Sequence, residues 1–209
     1  MPAFATLASV YSMPAASPGD VDLPDSSSKA RARAMNDFLA SVELKGFRIA
    51  RLALRHDDDA LDVVQDAMLQ LARAYGARPA GEWKPLFYRI LENRIRDVQR
   101  RRMVRNRVMA WLPFRRNEDD DETPHPVDLA ASLDLTPGDQ VQVDETLQAL
   151  ETALQALPGR QRQAFLLRTL EGMDVAQTAA AMGCSEGSVK THYFRAVHTL
   201  RAQLGDFWS

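Results

Sequence analysis

Residues 172–201 read GMDVAQTAAAMGCSEGSVKTHYFRAVHTLR, and nearly every local signal in this run has a helical explanation. Asp174 can cap a helix that turns Val175, Ala179 and Met182 inward, Gly183 suits the left-handed position after its end, and Ser185 can cap the next helix. Two helices joined by so short a turn have helix-turn-helix spacing. In the second, Val189, Tyr193, Ala196, Val197, Leu200 and Leu204 fall at i, i+4, i+7, i+8, i+11 and i+15, one face for a core. Lys190, Thr191, Phe194, Arg195, His198 and Arg201 then point elsewhere. Docking in a DNA major groove needs such a face: cations for phosphates, and Arg or Thr for base edges. A merely solvated face is the plain alternative, but Phe194 gains little by facing water.

Upstream, Leu147, Leu150, Leu154 and Leu157 form an apolar stripe that ends at Pro158 and Gly159, where a helix breaks. A further helix is expected over about 160–171, before Gly172. Earlier still the charge changes sign abruptly. The 32 positions from Pro85 to Arg116 hold ten arginines against two acids, whereas the 29 from Asn117 to Glu145 hold ten acids and no lysine or arginine. This acidic segment has Pro124, Pro126 and Pro137 and few large apolar residues, so it reads as a linker that does not fold alone.

From Met35 the apolar pattern again has the helical period, and nothing alternates at period two, so the expected class is all-α. Phe38, Val42, Phe47, Ile49, Ala50 and Leu54 predict one or two helices up to about residue 55. Leu61, Val64, Met68, Leu71 and Tyr75 place one stripe on a helix over about 58–75. The segment GARPAGEWKP, with two glycines and two prolines, predicts a loop. Leu86, Ile90, Ile95 and Val98 follow on a helix over about 86–108, with arginines on its other faces. Residues 1–34 combine a short apolar run, Pro2 and Pro14, and no basic start, and they read as disordered rather than as a signal peptide.

The composition sets bounds. A chain of 209 residues suits one domain or two small ones. The net charge of -2 is a sum of opposed blocks, which usually mark interaction surfaces or tails. A single cysteine, Cys184, allows neither an internal disulfide nor a cysteine zinc cluster and fits a reducing compartment; its size suits it to filling the turn. There is no run of about 18 apolar residues to span a membrane.

Three segments, taken in order, carry a family resemblance: DALDVVQDAMLQLARAY (59–75), LFYRILENRIRDVQRRR (86–102) and ALPGRQRQAFLLRTLEGMDVAQTAAAMGCSEGSVKTHYFRAVHTLR (156–201). Together they resemble bacterial RNA polymerase sigma factors of the extracytoplasmic-function (ECF) group, in the sigma-70 family. The resemblance implies two small helical domains joined by a flexible acidic linker. It divides the chain into a disordered tail (1–34), region 2 (35–110), the linker (111–145) and region 4 with its helix-turn-helix (146–209). It implies a cytoplasmic protein that binds core RNA polymerase through the largest subunit's clamp helices and the flap, directs it to promoters and helps open the DNA.

By the same resemblance Asp62, Gln65 and Asp66 are polymerase contacts. A solvated acidic face is the alternative, and a metal site at Asp57 to Asp59 lacks the glycine and spaced oxygens of a calcium loop. Asn93 would line a pocket for a flipped base of the minus-ten element, with Arg89, Arg94, Arg96, Arg100, Arg101 and Arg102 on neighbouring phosphates. Lys190, Thr191, Phe194 and Arg195 would face the minus-thirty-five element, with Arg195 at a base edge or adjacent phosphate and Lys190 as a phosphate clamp. The anionic linker would thread toward the RNA exit channel, or else simply solubilise.

The sequence departs from the family pattern at several points. Leu86 and Phe87 stand where Trp-Leu is usual, with Trp83 one turn earlier; Thr178 replaces an apolar residue; and His192 replaces a common arginine. His192 and His198, six apart, share no helix face and read as surface histidines. No catalytic constellation, cofactor or metal is expected. An anti-sigma partner is common among relatives. The competing classes are a stand-alone helix-turn-helix regulator, which would dimerise on two half-sites, and a magnesium-dependent nucleic-acid enzyme using Asp57 to Asp66. Neither accounts for the pairing of the 59–75 and 86–102 segments.

Overall fold

The computed structural model describes residues 26–110 and 137–205, and every described element is helical. In chain order these are α1 (Ser26–Leu54), α2 (Asp57–Tyr75), α3 (Ala80–Ala110), α4 (Pro137–Ala156), α5 (Gly159–Thr169), α6 (Val175–Met182) and α7 (Glu186–Leu204). Helices α1, α2 and α3 pack on one another as one unit, α4 to α7 form a second, and the two touch where α3 meets α6 and α1 meets α4.

The first unit is built around aromatic rings and small residues. Phe87, wholly buried, lies edge-on to Tyr88 at 5.0 Å and to Phe38 at 6.4 Å, while Phe38 also meets buried Trp83 at 5.8 Å. Gly46 explains how α1 comes so near: a Cβ there would lie 3.0 Å from the tip of the Phe87 ring. A glycine inside a helix costs about 1 kcal/mol against alanine, and here that cost is offset by the seat it leaves for a buried ring.

Helix α2 buries Ala60, Val63, Val64, Ala67 and Leu71. This corrects the expected stripe, because Leu61 is 43% exposed. Ala60 and Ala67 allow close approach to α1 and α3, so the buried line follows the alanines and turns Leu61 outward. The N-terminus of α2 carries Asp57, Asp58 and Asp59, which complement the helix dipole, and His56 accepts from the Asp59 amide at 3.2 Å as the cap. Arg55, at φ 54°, makes the left-handed turn between α1 and α2 that glycine usually makes.

Three boundaries differ from expectation. Helix α1 begins at Ser26, ahead of the expected start at 35, and its exposed turns before Met35 carry Lys29, Arg31 and Arg33. Helix α3 begins at Ala80 and contains Pro85, in place of the loop expected across GARPAGEWKP. A proline in the first turns removes one backbone hydrogen bond, and burial of Trp83 and Phe87 on either side holds the segment helical. Helix α4 begins at Pro137, inside the expected linker, with proline at the first helical position where its missing N–H is harmless. The rest of the acidic segment, and residues 1–25, lie outside the described residues.

Candidate nucleic-acid interface

The helix-turn-helix is fixed by its caps. The Asp174 carboxylate accepts from the Gln177 amide at 2.7 Å, and the Gln177 side chain accepts from the Asp174 amide at 3.1 Å, a reciprocal box. Gly183 takes φ 61°, the Cys184 amide donates to the Ala179 carbonyl at 3.1 Å, and Ser185 accepts from the Ser188 amide at 3.2 Å. Thr178, wholly buried, donates its hydroxyl to the Asp174 carbonyl at 2.7 Å, which is how a polar residue fits a position usually apolar. Phe165 stacks on Tyr193 at 6.2 Å, and the Arg168 guanidinium lies 5.9 Å from the Tyr193 ring while donating to the Met173 carbonyl.

Val189, Ala196, Leu200 and Leu204 of α7 are buried, and Lys190, Thr191, Phe194, Arg195, His198 and Arg201 are exposed. Phe194 is 69% exposed and neighbours the His198 ring at 6.4 Å. The Thr191 hydroxyl donates to the Gly187 carbonyl at 3.0 Å. His192 is not a plain surface histidine, because it is half-buried with Nδ1 enclosed and without a hydrogen-bond partner.

On α3, Arg89, Asn93, Arg100 and Arg101 are exposed, and Arg105 and Arg107 continue the cationic surface alongside exposed Met103 and Val104. Arg100 also pairs with Asp97 at 2.9 Å, and the other arginines are engaged. Arg94 donates to Gln70 at 3.1 Å and lies 3.7 Å from Asp66, so it bridges α3 to the acidic face of α2. Arg96 pairs with Glu92 at 2.9 Å and reaches Gln163 of α5 at 3.5 Å. Arg102 donates to the Leu54 carbonyl at 2.7 Å and pairs with Asp59. It ties α3 to the α1–α2 corner, a structural task that its grouping with the phosphate-facing arginines had missed.

Asp62, Gln65 and Asp66 are exposed on α2. Leu61 and Leu69, 43% and 52% exposed, flank them, and with Gln65 they run i, i+4, i+8 along one stripe. Sequence reasoning assigned Leu61 to the core and passed over Leu69. The available signal was the pair of alanines, Ala60 and Ala67, that mark the true inner line.

Where the two units meet, burial perturbs several groups. Burial pushes the Glu92 carboxyl above the usual carboxylate range, while Arg96, Arg160 and Arg162 pull it back. Burial likewise lowers Arg162, countered by Glu92. The Tyr88 phenol is pushed well above its usual value, first by burial and then by the facing Glu171 carboxylate. Among the described residues no cluster of three or more His, Cys, Asp or Glu side chains is placed to hold a metal, and no helix is long and apolar enough to cross a membrane.

Comparison with known proteins agrees with this architecture. Residues 147–200 match the family "Sigma-70, region 4". The chain is 32% identical over 159 residues to the ECF RNA polymerase sigma factor SigM of Mycobacterium tuberculosis, covering 76% of this chain and 70% of that one. It is 31% identical over 157 residues to the RNA polymerase sigma-E factor of Streptomyces coelicolor, covering 75% of this chain and 78% of that one. In fold it is similar to the sigma factor RpoE of Bartonella quintana, solved in complex with the anti-sigma factor NepR, at a TM-score of 0.59, 25% identity, and coverage of 85% of this chain and 98% of that one. The two-unit helical chain therefore belongs to the ECF RNA polymerase sigma factors, transcription-initiation factors of the sigma-70 family.

Proposed function

We propose that this chain binds core RNA polymerase, carries it to a set of promoters and assists DNA opening without performing covalent chemistry itself. The observation that carries the reading is the pairing of two separate outward surfaces. One is the recognition face of α7, with Lys190, Thr191, Phe194 and Arg195 exposed together; the other is the arginine surface of α3 around Asn93. A stand-alone helix-turn-helix regulator has a use for the first and none for the second.

In this reading residues 35–110 read the minus-ten element and bind the clamp helices, while 146–209 read the minus-thirty-five element and meet the flap, with 111–145 as the tether. Asn93 takes a flipped base, and Arg89, Arg100 and Arg101 neutralise adjacent phosphates, which supplies affinity through counterion release. Arg94 and Arg96 join them, and Arg100 acts among them, only by exchanging their present partners. Asp62, Gln65 and Asp66 meet the polymerase, and Leu61 and Leu69 add an apolar strip to that surface, of the kind that anchors protein interfaces. The cell compartment is the cytoplasm, where polymerase and promoter are. The similarity to a sigma factor solved with an anti-sigma factor supports a partner of that class.

The test mixes the full chain with bacterial core polymerase and genomic DNA fragments and maps transcripts that need both proteins. New start sites are expected. Asn93→Ala should reduce open-complex formation about tenfold or more, with upstream binding retained, whereas Arg195→Ala should weaken upstream binding by about 1–3 kcal/mol. Tight, site-specific binding by the chain alone, with no initiation, would replace this reading with the stand-alone regulator.

A further inference from the structure

A cavity of about 280 Å³ lies where α1, α3 and α5 come together. Ile49, Ile95 and Leu166 form its apolar wall. On the polar side Arg96, Arg160 and Arg162 gather around one carboxylate, Glu92, and the Gln163 amide, which is 7% exposed, lies among them. Gln99 and Gly159, both exposed, also line the cavity, so it opens to solvent. We propose that this cavity is a binding site for the phosphate group of a small anion, either free phosphate or a phosphomonoester, held by Arg96, Arg160 and Arg162.

The charges that meet here do not balance. Three guanidinium groups less one carboxylate leave an excess of two positive charges. A phosphomonoester brings about −1.5 to −2 at pH 7. Burial works against the charge of Arg162 most, Glu92 supports it, and Arg55 adds a fourth cation that opposes it. A bound anion relieves that repulsion.

The donors needed to hold a phosphate are also present. Each guanidinium carries five N–H donors in a planar fork that matches phosphate oxygens. Arg160 spends Nη1 on the Met182 carbonyl at 2.7 Å and on Gln163 at 3.4 Å, and Arg162 spends Nη1 on the Gln155 carbonyl at 3.3 Å. Arg96 gives Nε and Nη2 to Glu92, with Nη2 also 3.5 Å from Gln163. Nε and Nη2 of Arg160 and of Arg162, and Nη1 of Arg96, therefore donate to no acceptor among the described residues. Helix α5 starts at the cavity without a side-chain cap, so its dipole adds to the attraction for an anion. The volume is near the lower limit for small-molecule sites, and the apolar wall suits a ring or sugar carried on the phosphate. This site goes beyond the promoter reading and does not depend on it, because Arg160 and Arg162 belong to neither DNA-facing surface.

Isothermal titration calorimetry of the full chain in phosphate-free buffer, with inorganic phosphate and with adenosine monophosphate, tests the site. Saturable binding of one molecule per chain is expected. Tighter binding of adenosine monophosphate would show that the apolar wall takes part, and equal affinities would show that phosphate alone is recognised. Arg160→Gln and Arg162→Gln should each weaken binding about tenfold or more. Glu92→Gln should tighten it several-fold, since it removes the competing anion and keeps an acceptor for Arg96; lost packing cannot produce that gain. Far-UV circular dichroism and thermal melting check the fold of each variant. Arg160 also holds the Met182 carbonyl, so if Arg160→Gln melts early, Arg162→Gln and Glu92→Gln decide. Absence of saturable binding by either ligand would overturn the proposal. So would an affinity that is unchanged in Arg162→Gln or fails to rise in Glu92→Gln. Loss of binding in Arg101→Gln would place the anion on the DNA-facing surface of α3 and overturn it equally.

Discussion

Tyr88 is the residue on which burial, charge and inter-unit contact converge. It is 2% exposed, faces the Glu171 carboxylate and stacks edge-on to Phe87. Its phenol is raised above the ordinary value near 10, so at alkaline pH the folded form retains a proton that the unfolded chain has lost. Stability then falls as pH rises through and beyond the ordinary tyrosine range. Ultraviolet titration should find one of the four tyrosines ionising only as the fold is lost. Tyr88→Phe should remove that step and move alkaline unfolding to higher pH. Ionisation of all four together with the fold intact would contradict this assignment. At the same scale the sequence was informative where a residue acts on its neighbours, as at Asp174, Gly183 and Ser185, but its reading of His192 as a surface histidine missed the half-buried ring. It was misleading at Leu61, because size alone says inward while the alanines of α2 set the buried line.

Among the elements, α3 is the most instructive. A loop was the natural reading of GARPAGEWKP, since prolines and glycines punctuate chains. Trp83 and Phe87 override that local preference by burying on the core of α1. The helix therefore contains Pro85 at the expense of one backbone bond, and Pro85→Ala should raise stability by about 1–3 kcal/mol, read as a higher melting temperature. A lower melting temperature would mean that the half-buried proline ring contributes more by packing than its missing N–H costs. Helices α6 and α7 needed no such override, because caps, glycine and apolar period all agreed. In α3 the arginines were legible as a cationic surface, but their division of labour was not: Arg102 braces the corner at Leu54 and Asp59, whereas Arg101 is exposed.

That division has a consequence for the whole molecule's binding to DNA. In the reconstituted holoenzyme, Arg101→Ala should lower the slope of log affinity against log salt by about 0.7 on single-stranded promoter DNA, the loss of one phosphate contact. Arg102→Ala should instead reduce thermal stability and leave the slope nearly unchanged. Equal slope changes would place both side chains on phosphates. Composition, helical period and capping were enough to establish an all-α chain, its helix-turn-helix and two oppositely charged blocks, because each of these arises within a few residues of chain. Tertiary structure alone decided which face of α2 is buried, which arginines are occupied, and that the two units dock through Glu171 and Lys84. Those outcomes depend on packing and on charges brought together across 87 positions, for which no local pattern exists to be read.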